Sequence, residues 1–354
     1  MNIHELPTPA LILDVDVFYE NIEKANAMLN GSKMKLRPHY KSCKCTALAH
    51  MQLARGAKGI TCSKLEEAKD LILAGVEDVL IANQITNKQK IAELAALARC
   101  CKLTVCVDQA ENIADLQAAA KLQDSVIHCY IEYDIGMKRC GVYTKEEFDA
   151  LAQKIRACSN LSFDGIQAYA GNLSHEENYQ KRQFSSQKVE ERLSELLAYM
   201  EGRGVEIKEV SGTSTGTIAF RGRDSVYTEI QAGSYVYMDA AYRKLNPGFD
   251  HSLFVLAEVI SKSEGQTILD AGVKGISTDQ TAPLLADYPE VAFRVSEEHC
   301  TIHDKALASF KIGDRCKLIP GHCCTTMNLY DRIFLVKGEK VMDCIPVTGR
   351  GKSR

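Results

Sequence analysis

LTVCVDQAENIADLQAAAKLQDSVIHCYIEYD, residues 103–134, holds the fold in miniature. It opens with a short β-rich run, LTVCVD (103–108), and closes with another, IHCYIEYD (127–134). Between them AENIADLQAAAKL (110–122) places its apolar residues at helical spacing. Strand, helix and strand in so short a stretch is the pattern of a parallel pair joined by a helical crossover.

The same unit recurs on either side. β-rich runs occur at KLRPHY (35–40), KGITC (58–62), DVLIAN (78–83), FDGIQAYAG (163–171), IKEVSGTS (207–214) and YTEIQAGS (227–234), which makes eight runs in all. LEEAKDLILAG (65–75), KQKIAELAALARC (88–100), EEFDALAQKIRAC (146–158) and the long, charged segment 177–204 carry helical spacing between them. Eight alternating units predict an α/β chain closed into a (β/α)8 TIM barrel, with active-site residues at the carboxyl ends of the strands. After Asn246-Pro247-Gly248 the texture becomes that of short strands and turns: SLFVLAEVIS, QTILDAGV, RCKLIP and RIFLVKGEKVMDCIPV. The expected organisation is a strand within 1–16 that is free to join the C-terminal sheet, a barrel over 17–245, a smaller mostly-β domain over 246–347 and a disordered tail over 348–354.

Composition narrows the function. The 354 residues carry 43 Lys plus Arg against 46 Asp plus Glu, a net charge of -3, which offers no general attraction to nucleic acid or anionic membrane. No apolar run approaches the length of a membrane span. The first residues lack the basic start and apolar core of a secretory signal, so a cytoplasmic protein is expected. Fourteen cysteines, many inside apolar runs, then read as buried structural thiols. Paired CxxC motifs of the zinc-finger kind are absent from the sequence.

Five strand ends offer chemistry. RPHYKSCK (37–44) follows the first run, and Lys41 there, with Arg37 and Lys44 as neighbouring cations, is a candidate amine of lowered pKa able to form an imine. SGTSTGT (211–217) and QAGSY (231–235) follow the last two runs, where barrels bind phosphate groups. An imine-forming lysine opposite a phosphate cradle is what pyridoxal 5'-phosphate (PLP) requires. EYDIGMKRCGV (132–142) brings Arg139 to the fifth strand end, and AYAGN (168–172) brings Tyr169 to the sixth. Farther on, PGHCCTT (320–326) sets His322 and Cys324 two residues apart. In an extended segment that spacing points both side chains the same way, an imidazole and thiolate pair suited to zinc with coordination positions left open. Cys323 then faces the core. VSEEHC (295–300) is either a solvated acidic turn or an aid to a metal.

In this order, LPTPALILD, RPHYKSCK, DIGMKRCG, AYAGN, SGTSTGT, QAGSYVYMD, SEEHC and PGHCCTTMNL resemble the alanine-racemase-like (fold type III) PLP enzymes of the D-threonine aldolase and D-serine dehydratase branch. The resemblance covers residues 6 to about 335. It implies a PLP-binding barrel, a β-rich domain holding a divalent metal, and a homodimer. It also implies that Lys41 is the Schiff-base lysine, that Arg139 contacts the phenolic oxygen, and that Tyr169 lies near the pyridine ring. Ser214, Gly216, Thr217, Gly233 and Ser234 hold the phosphate on this reading, and His322 and Cys324 the metal. The chain departs from the usual motifs at Cys43 and Asn172, where histidine is common, and at Cys300, where glycine is. The aldolase branch resembles His-x-Asp at the metal pair, a harder site for manganese or magnesium; His-x-Cys is dehydratase-like and favours zinc.

The expectation is therefore a PLP- and metal-dependent lyase that dehydrates D-3-hydroxy amino acids such as D-serine, D-threonine or D-3-hydroxyaspartate to an oxo acid and ammonia. The alternatives are retro-aldol cleavage to glycine and an aldehyde, racemisation with Tyr242 or Tyr330 as second base, and a non-catalytic PLP carrier.

Overall fold

The computed structural model describes residues 1–303 and 309–354. These form two compact units that are not consecutive in sequence. One comprises Ala25–Lys41, Leu48–Gly233 and Lys352–Arg354; the other comprises Met1–Lys24, Ser42–Ala47 and Ser234–Gly351.

With strands and helices numbered along the chain, β1 (Ala10–Asp14) and most of α1 (Val15–Leu29) belong to the second unit. The first unit is the barrel. Its strands are β2 (Lys35–Leu36), β3 (Ile60–Cys62), β4 (Asp78–Ile81), β5 (Lys102–Val107), β6 (Ile127–Glu132), β7 (Leu161–Ala168), β8 (Glu209–Gly212) and β9 (Glu229–Ile230). All pair in parallel, in the order β2-β9-β8-β7-β6-β5-β4-β3. A bridge between His39 and Thr61 joins the two ends of that order and closes the ring. The crossovers include α3 (Leu65–Leu73), α4 (Lys88–Leu97), α5 (Ala110–Leu122), α6 (Lys145–Arg156) and α7 (Tyr179–Gly202), with α2 (Thr46–Leu53) preceding them. Leu103, Val105, Cys106 and Val107 are all buried, as befits a strand covered on both faces. Local chemistry sets the helix starts. Thr144 accepts from the Glu147 amide while the Glu147 carboxylate accepts from the Thr144 amide, a reciprocal cap at α6.

The first run is shorter than its sequence suggests. KLRPHY forms a regular ladder with β9 at Lys35 and Leu36, and beyond it the Arg37 and His39 amides still donate to the Ile230 and Ala232 carbonyls at 2.9 and 3.2 Å, while Pro38 between them has no N–H to give. Side chains hold the ring at this seam. Arg37, fully buried, donates to both carboxylate oxygens of Asp78 at 2.9 Å each and to Glu229 at 2.8 Å. Lys58 pairs with Glu229 at 2.9 Å and with Glu209, and Tyr130 donates to Glu229. Burial works to lower the Arg37 pKa, but Glu229 and Asp78 outweigh it and raise it.

In the second unit, β10 (Leu253–Ser263) is the central strand. Its sheet runs β13 (Phe293–Val295), β14 (Cys300–Ile302), β11 (Gln266–Leu269), β10, β1, β16 (Arg332–Lys337) and β17 (Lys340–Pro346). β15 (Arg315–Ile319) pairs with β10 and with β12 (Leu284–Leu285). β1 lies between β10 and β16, and Ile3, Leu6, Ala10, Ile12, Leu256 and Val336 form one buried cluster. The short helices α8 (Ala240–Arg243) and α9 (Cys323–Met327) complete the unit. All fourteen cysteines are free thiols. Among the described residues no helix is long and apolar enough to cross a membrane.

Residues 348–354 are not the disordered tail expected from their composition. Gly349 donates to the Lys44 carbonyl at 2.7 Å, Arg350 pairs with Asp331 at 2.7 Å, and Lys352 reaches Asp70.

Removing the Arg37 guanidinium leaves Asp78 and Glu229 short of a buried counter-charge. Arg37→Ala is expected to destabilise the barrel by about 3–5 kcal/mol. The urea midpoint is the measurement; an unchanged midpoint would mean that the seam does not depend on this network.

Candidate active site

At the carboxyl end of the barrel, the chain leaves β2 through Pro38 and His39 and turns in a 3-10 segment, Tyr40–Ser42, that carries Lys41. The turn is anchored from below: Tyr40 is fully buried and its hydroxyl donates to Asp70 at 2.5 Å. The Lys41 amide donates to His39 Nδ1 at 3.3 Å, and His39 Nε2 lies 3.4 Å from Ser63 Oγ. Lys41 Nζ sits 5.5 Å from the centre of the Tyr169 ring, and Arg139 Cζ lies 5.9 Å from the same centre. Both are cation–π distances.

Arg139 has a carboxylate partner that the sequence reading missed. Glu132, the last residue of β6, places Oε1 3.5 Å from Arg139 Nη2, and Gln84 Nε2 donates to its other oxygen at 2.6 Å. Burial raises the Glu132 pKa, opposed by Gln84 and Arg139. A polar residue ending a barrel strand was the available signal. One expectation needs correcting: Arg37 is not a cation acting on Lys41. Its guanidinium is taken up by Asp78 and Glu229, because its side chain runs toward the amino ends of β4 and β9. Lys44 is a buried residue of the other unit.

The loop after β8 is tightly built. A Cβ on Gly212 would stand 1.9 Å from the Ala168 carbonyl oxygen, so only glycine lets β7 and β8 approach this closely. Thr213 follows in the left-handed region at φ 67°, a strained conformation for a β-branched residue, worth roughly 1–3 kcal/mol. Ser214 and Thr217 bind one another: the Ser214 amide donates to Thr217 Oγ1 at 3.0 Å and the Thr217 amide to the Ser214 carbonyl at 3.1 Å. Beneath the loop, Gln231 donates to Gln167 at 2.7 Å and to Ser211 at 2.8 Å. Thr215 Oγ1 is buried and has no hydrogen-bond partner among the described residues. An orphaned hydroxyl in a strained loop fits an anionic group such as the phosphate of PLP. The barrel thus has a lysine amine and a guanidinium beside one aromatic ring, and a polar cradle over β8, a donor set that fits PLP. Gly233 ends the long central stretch of this unit, and Ser234 begins a stretch of the other one.

In the second unit, His322 is the residue that precedes α9, in extended conformation, and Cys324 lies in the helix's first turn. The segment is therefore not a strand. The two side chains meet because a residue at a helix N-cap reaches back over the first turn. Asp239 fixes the start of that helix: its carboxylate accepts from the Cys323 amide at 2.9 Å and from the Tyr242 amide at 2.9 Å. Cys323 is fully buried, facing the core. Cys324 Sγ lies 3.2 Å from Ser42 Oγ and 3.7 Å from Ser234 Oγ. His322 Nδ1 lies 2.9 Å from Asp279. Burial opposes charge on His322, but the Cys324 sulfur and Asp279 outweigh it and push its pKa up to about 9. Among the described residues no three His, Cys, Asp or Glu side chains converge as a metal site. An imidazole in contact with a thiol nonetheless fits a divalent cation bound by two protein ligands and otherwise open. Glu297 and Glu298 take no part: they pair with Lys274 at 3.2 and 3.0 Å on an exposed turn, which is the solvated alternative for VSEEHC.

Residues 13–241 match the alanine racemase N-terminal domain family and residues 252–336 the putative serine dehydratase domain family. The chain belongs to the alanine-racemase-like family. It is 34% identical to a 3-hydroxy-D-aspartate aldolase of Paracoccus denitrificans, over 99% of this chain and 94% of that one. The crystal structure of a D-threonine aldolase from Filomicrobium marinum superimposes with a TM-score of 0.95 at 35% identity, covering 99% and 98% of the two chains. A D-threo-3-hydroxyaspartate dehydratase of Delftia sp. is 28% identical over 91% of this chain and 92% of that one. The protein is thus a PLP-dependent lyase with the barrel and separate β-rich sheet that its sequence predicts.

The decisive spectroscopic check concerns Lys41. Lys41→Ala, reconstituted with PLP, is expected to lack the visible absorption of a lysine-linked cofactor. If the band persists, another amine carries the cofactor.

Proposed function

We propose that the enzyme is a lyase of D-3-hydroxy amino acids and that it dehydrates them to a 2-oxo acid and ammonia. The observation that carries this outcome is the His322–Cys324 contact, a borderline-soft donor pair suited to zinc.

On this reading Lys41, Arg139, Tyr169, Ser214, Gly216, Thr217, Gly233 and Ser234 hold PLP, and His322 and Cys324 hold the metal. PLP supplies an electron sink for charge developing at Cα, and the metal supplies Lewis acidity toward the β-hydroxyl. The chain's own groups do the rest. Lys41 Nζ takes the proton from Cα as general base. Tyr169 sets its ring beside the lysine, 5.5 Å from Nζ to the ring centre, and orients the amine through a cation–π contact. Arg139 presents its guanidinium to an anionic oxygen, and Glu132 with Gln84 keeps that guanidinium in place. His322 stays aligned through Asp279, and Asp239 holds the start of α9. Loss of the hydroxyl as water, then hydrolysis of the resulting enamine, gives one oxo acid and one ammonia per substrate.

The second reading is retro-aldol cleavage to glycine and an aldehyde, favoured by the 34–35% identity to aldolases along the whole chain. Racemisation has less support, since the Tyr330 hydroxyl is committed to the Gly275 carbonyl at 2.7 Å. A non-catalytic carrier does not agree with full-length similarity to named lyases. A homodimer, a cytoplasmic setting and zinc as the native metal complete the proposal.

Incubation with D-serine, D-threonine and D-3-hydroxyaspartate, followed by assay of 2-oxo acid against glycine, separates the outcomes. Oxo acid in excess is expected; glycine with stoichiometric aldehyde would replace dehydration by cleavage. His322→Ala and Cys324→Ala should keep the visible PLP band and lose turnover, and full turnover in either variant would remove the metal from the mechanism. Cys324→Asp should shift activation from zinc toward manganese.

A further inference from the structure

The loop that faces the His322 segment within the second unit is built to present one carboxylate. Gly321 donates its amide to the Ser277 carbonyl at 3.1 Å, and a Cβ on Gly321 would stand 2.0 Å from the Thr281 carbonyl oxygen. The two loops therefore touch backbone to backbone, and glycine is required between Pro320 and His322 for that approach. The Ser277 amide donates to Thr326 Oγ1 at 3.0 Å, which ties the same loop to α9. Asp279 stands at its centre. Its Oδ1 accepts from Ser277 Oγ and from Thr325 Oγ1, the latter at 2.8 Å, and its Oδ2 lies 2.9 Å from His322 Nδ1.

This arrangement decides what Asp279 does. Asp279 is held by its neighbours rather than aimed at a cation: Oδ1 serves two hydroxyls and Oδ2 the imidazole, and among the described residues no three His, Cys, Asp or Glu side chains converge on one point. At neutral pH a carboxylate is an acceptor only. His322 Nδ1 therefore carries a hydrogen toward Asp279, and Nε2 is the nitrogen open to a cation, which takes the place of any proton there. We propose that Asp279 is the positioning residue of the metal site: it fixes the His322 tautomer and ring orientation so that Nε2 serves as ligand, while Ser277 and Thr325 fix Asp279. Outer carboxylates of this kind also make the imidazole a stronger donor, and their loss costs about 10- to 100-fold in metal affinity. The proposal rests on the reading of His322 and Cys324 as metal ligands.

The test measures zinc affinity directly, on PLP-loaded protein stripped of metal, by competition with a chromophoric chelator. Asp279→Ala is expected to weaken zinc binding about 10- to 100-fold. Asp279→Asn, whose amide oxygen still accepts from Nδ1–H, should recover most of that loss. Cobalt substitution adds a readout: in Asp279→Ala the thiolate-to-cobalt charge-transfer band should remain, while the ligand-field bands change as the imidazole is released. The visible PLP band checks that each variant is folded, and the Asn variant keeps the comparison available if the alanine variant is not. Wild-type zinc affinity in Asp279→Ala overturns the proposal but leaves the metal pair standing. Equal weakening in the Ala and Asn variants also overturns it, since orientation through the hydrogen bond would then not be the cause. Wild-type affinity in His322→Ala is a different failure: it removes the metal pair itself.

Discussion

Arg37 sits at the seam where the ring of strands closes. β2 contributes two paired residues to β9, and β2 and β3 are joined by one bridge. Beyond those pairs the Arg37 and His39 amides donate to the Ile230 and Ala232 carbonyls, and the Lys58 and Thr61 amides to the Leu36 and Pro38 carbonyls. A buried guanidinium spans the seam, bound to Asp78 on β4 and to Glu229 on β9. An ion pair in this position is worth little as net stability if both partners were replaced by apolar groups. Its value is geometric. It sets the level at which β2 enters the ring, and so the height at which Lys41 emerges four residues later. The mouth of the barrel is positioned from its base.

The alternation of eight strand-like and helical segments was legible because the period of the hydrophobic pattern changes cleanly between 2 and 3.6. Residues 103–134 display both periods; the observed α5 and β6 fall within the quoted runs, and β5 begins one residue before its run, at Lys102. Two kinds of feature were not legible. Pairings between distant parts of the chain leave no local trace: Ile12 lies beside Phe334 and Leu256 lies beside Ala10 with nothing in either stretch to announce it. Side-chain direction was the other. Arg37 and Lys41 are neighbours in RPHYK, yet Arg37 runs to the base of the barrel and Lys41 remains at the mouth. The same limit hid Asp279, which stands in a loop without periodicity or motif, far in sequence from His322.

The strand-end rule had more reach than was used. Glu132 ends β6 and Gln84 follows β4, and both are polar residues at the end of the barrel where chemistry is expected. They were passed over because a lone acid or amide has no signature until its partner is known. Their role becomes plain only when Arg139 is seen against Glu132. The loop after β8 teaches the reverse. Its sequence, SGTSTGT, suggested a phosphate site at the strand end, but Ser214 and Thr217 spend their amides on each other and the chain puts a threonine, not a glycine, at positive φ. Strain of that kind persists only where the surroundings enforce it.

Position 324 is where similarity and chemistry separate. Exchange of a carboxylate for a thiolate alters one side chain in 354 and leaves the backbone, the N-cap geometry and the Asp239 anchor as they are. Overall identity and superposition therefore say almost nothing about it. Both groups bring one negative charge to a cation, so the electrostatic contribution to binding is similar. They differ in softness, and with an imidazole the thiolate selects zinc-like ions over those that prefer all-oxygen shells. On the proposed reading, the contact of His322 with Asp279 would make the nitrogen donor stronger as well. On the proposed reading of His322 and Cys324 as metal ligands, a chain that resembles aldolases along its whole length would present a different Lewis acid to the same hydroxyl. In a fold that supports several reactions, that donor set carries more weight than the percentage of identical residues.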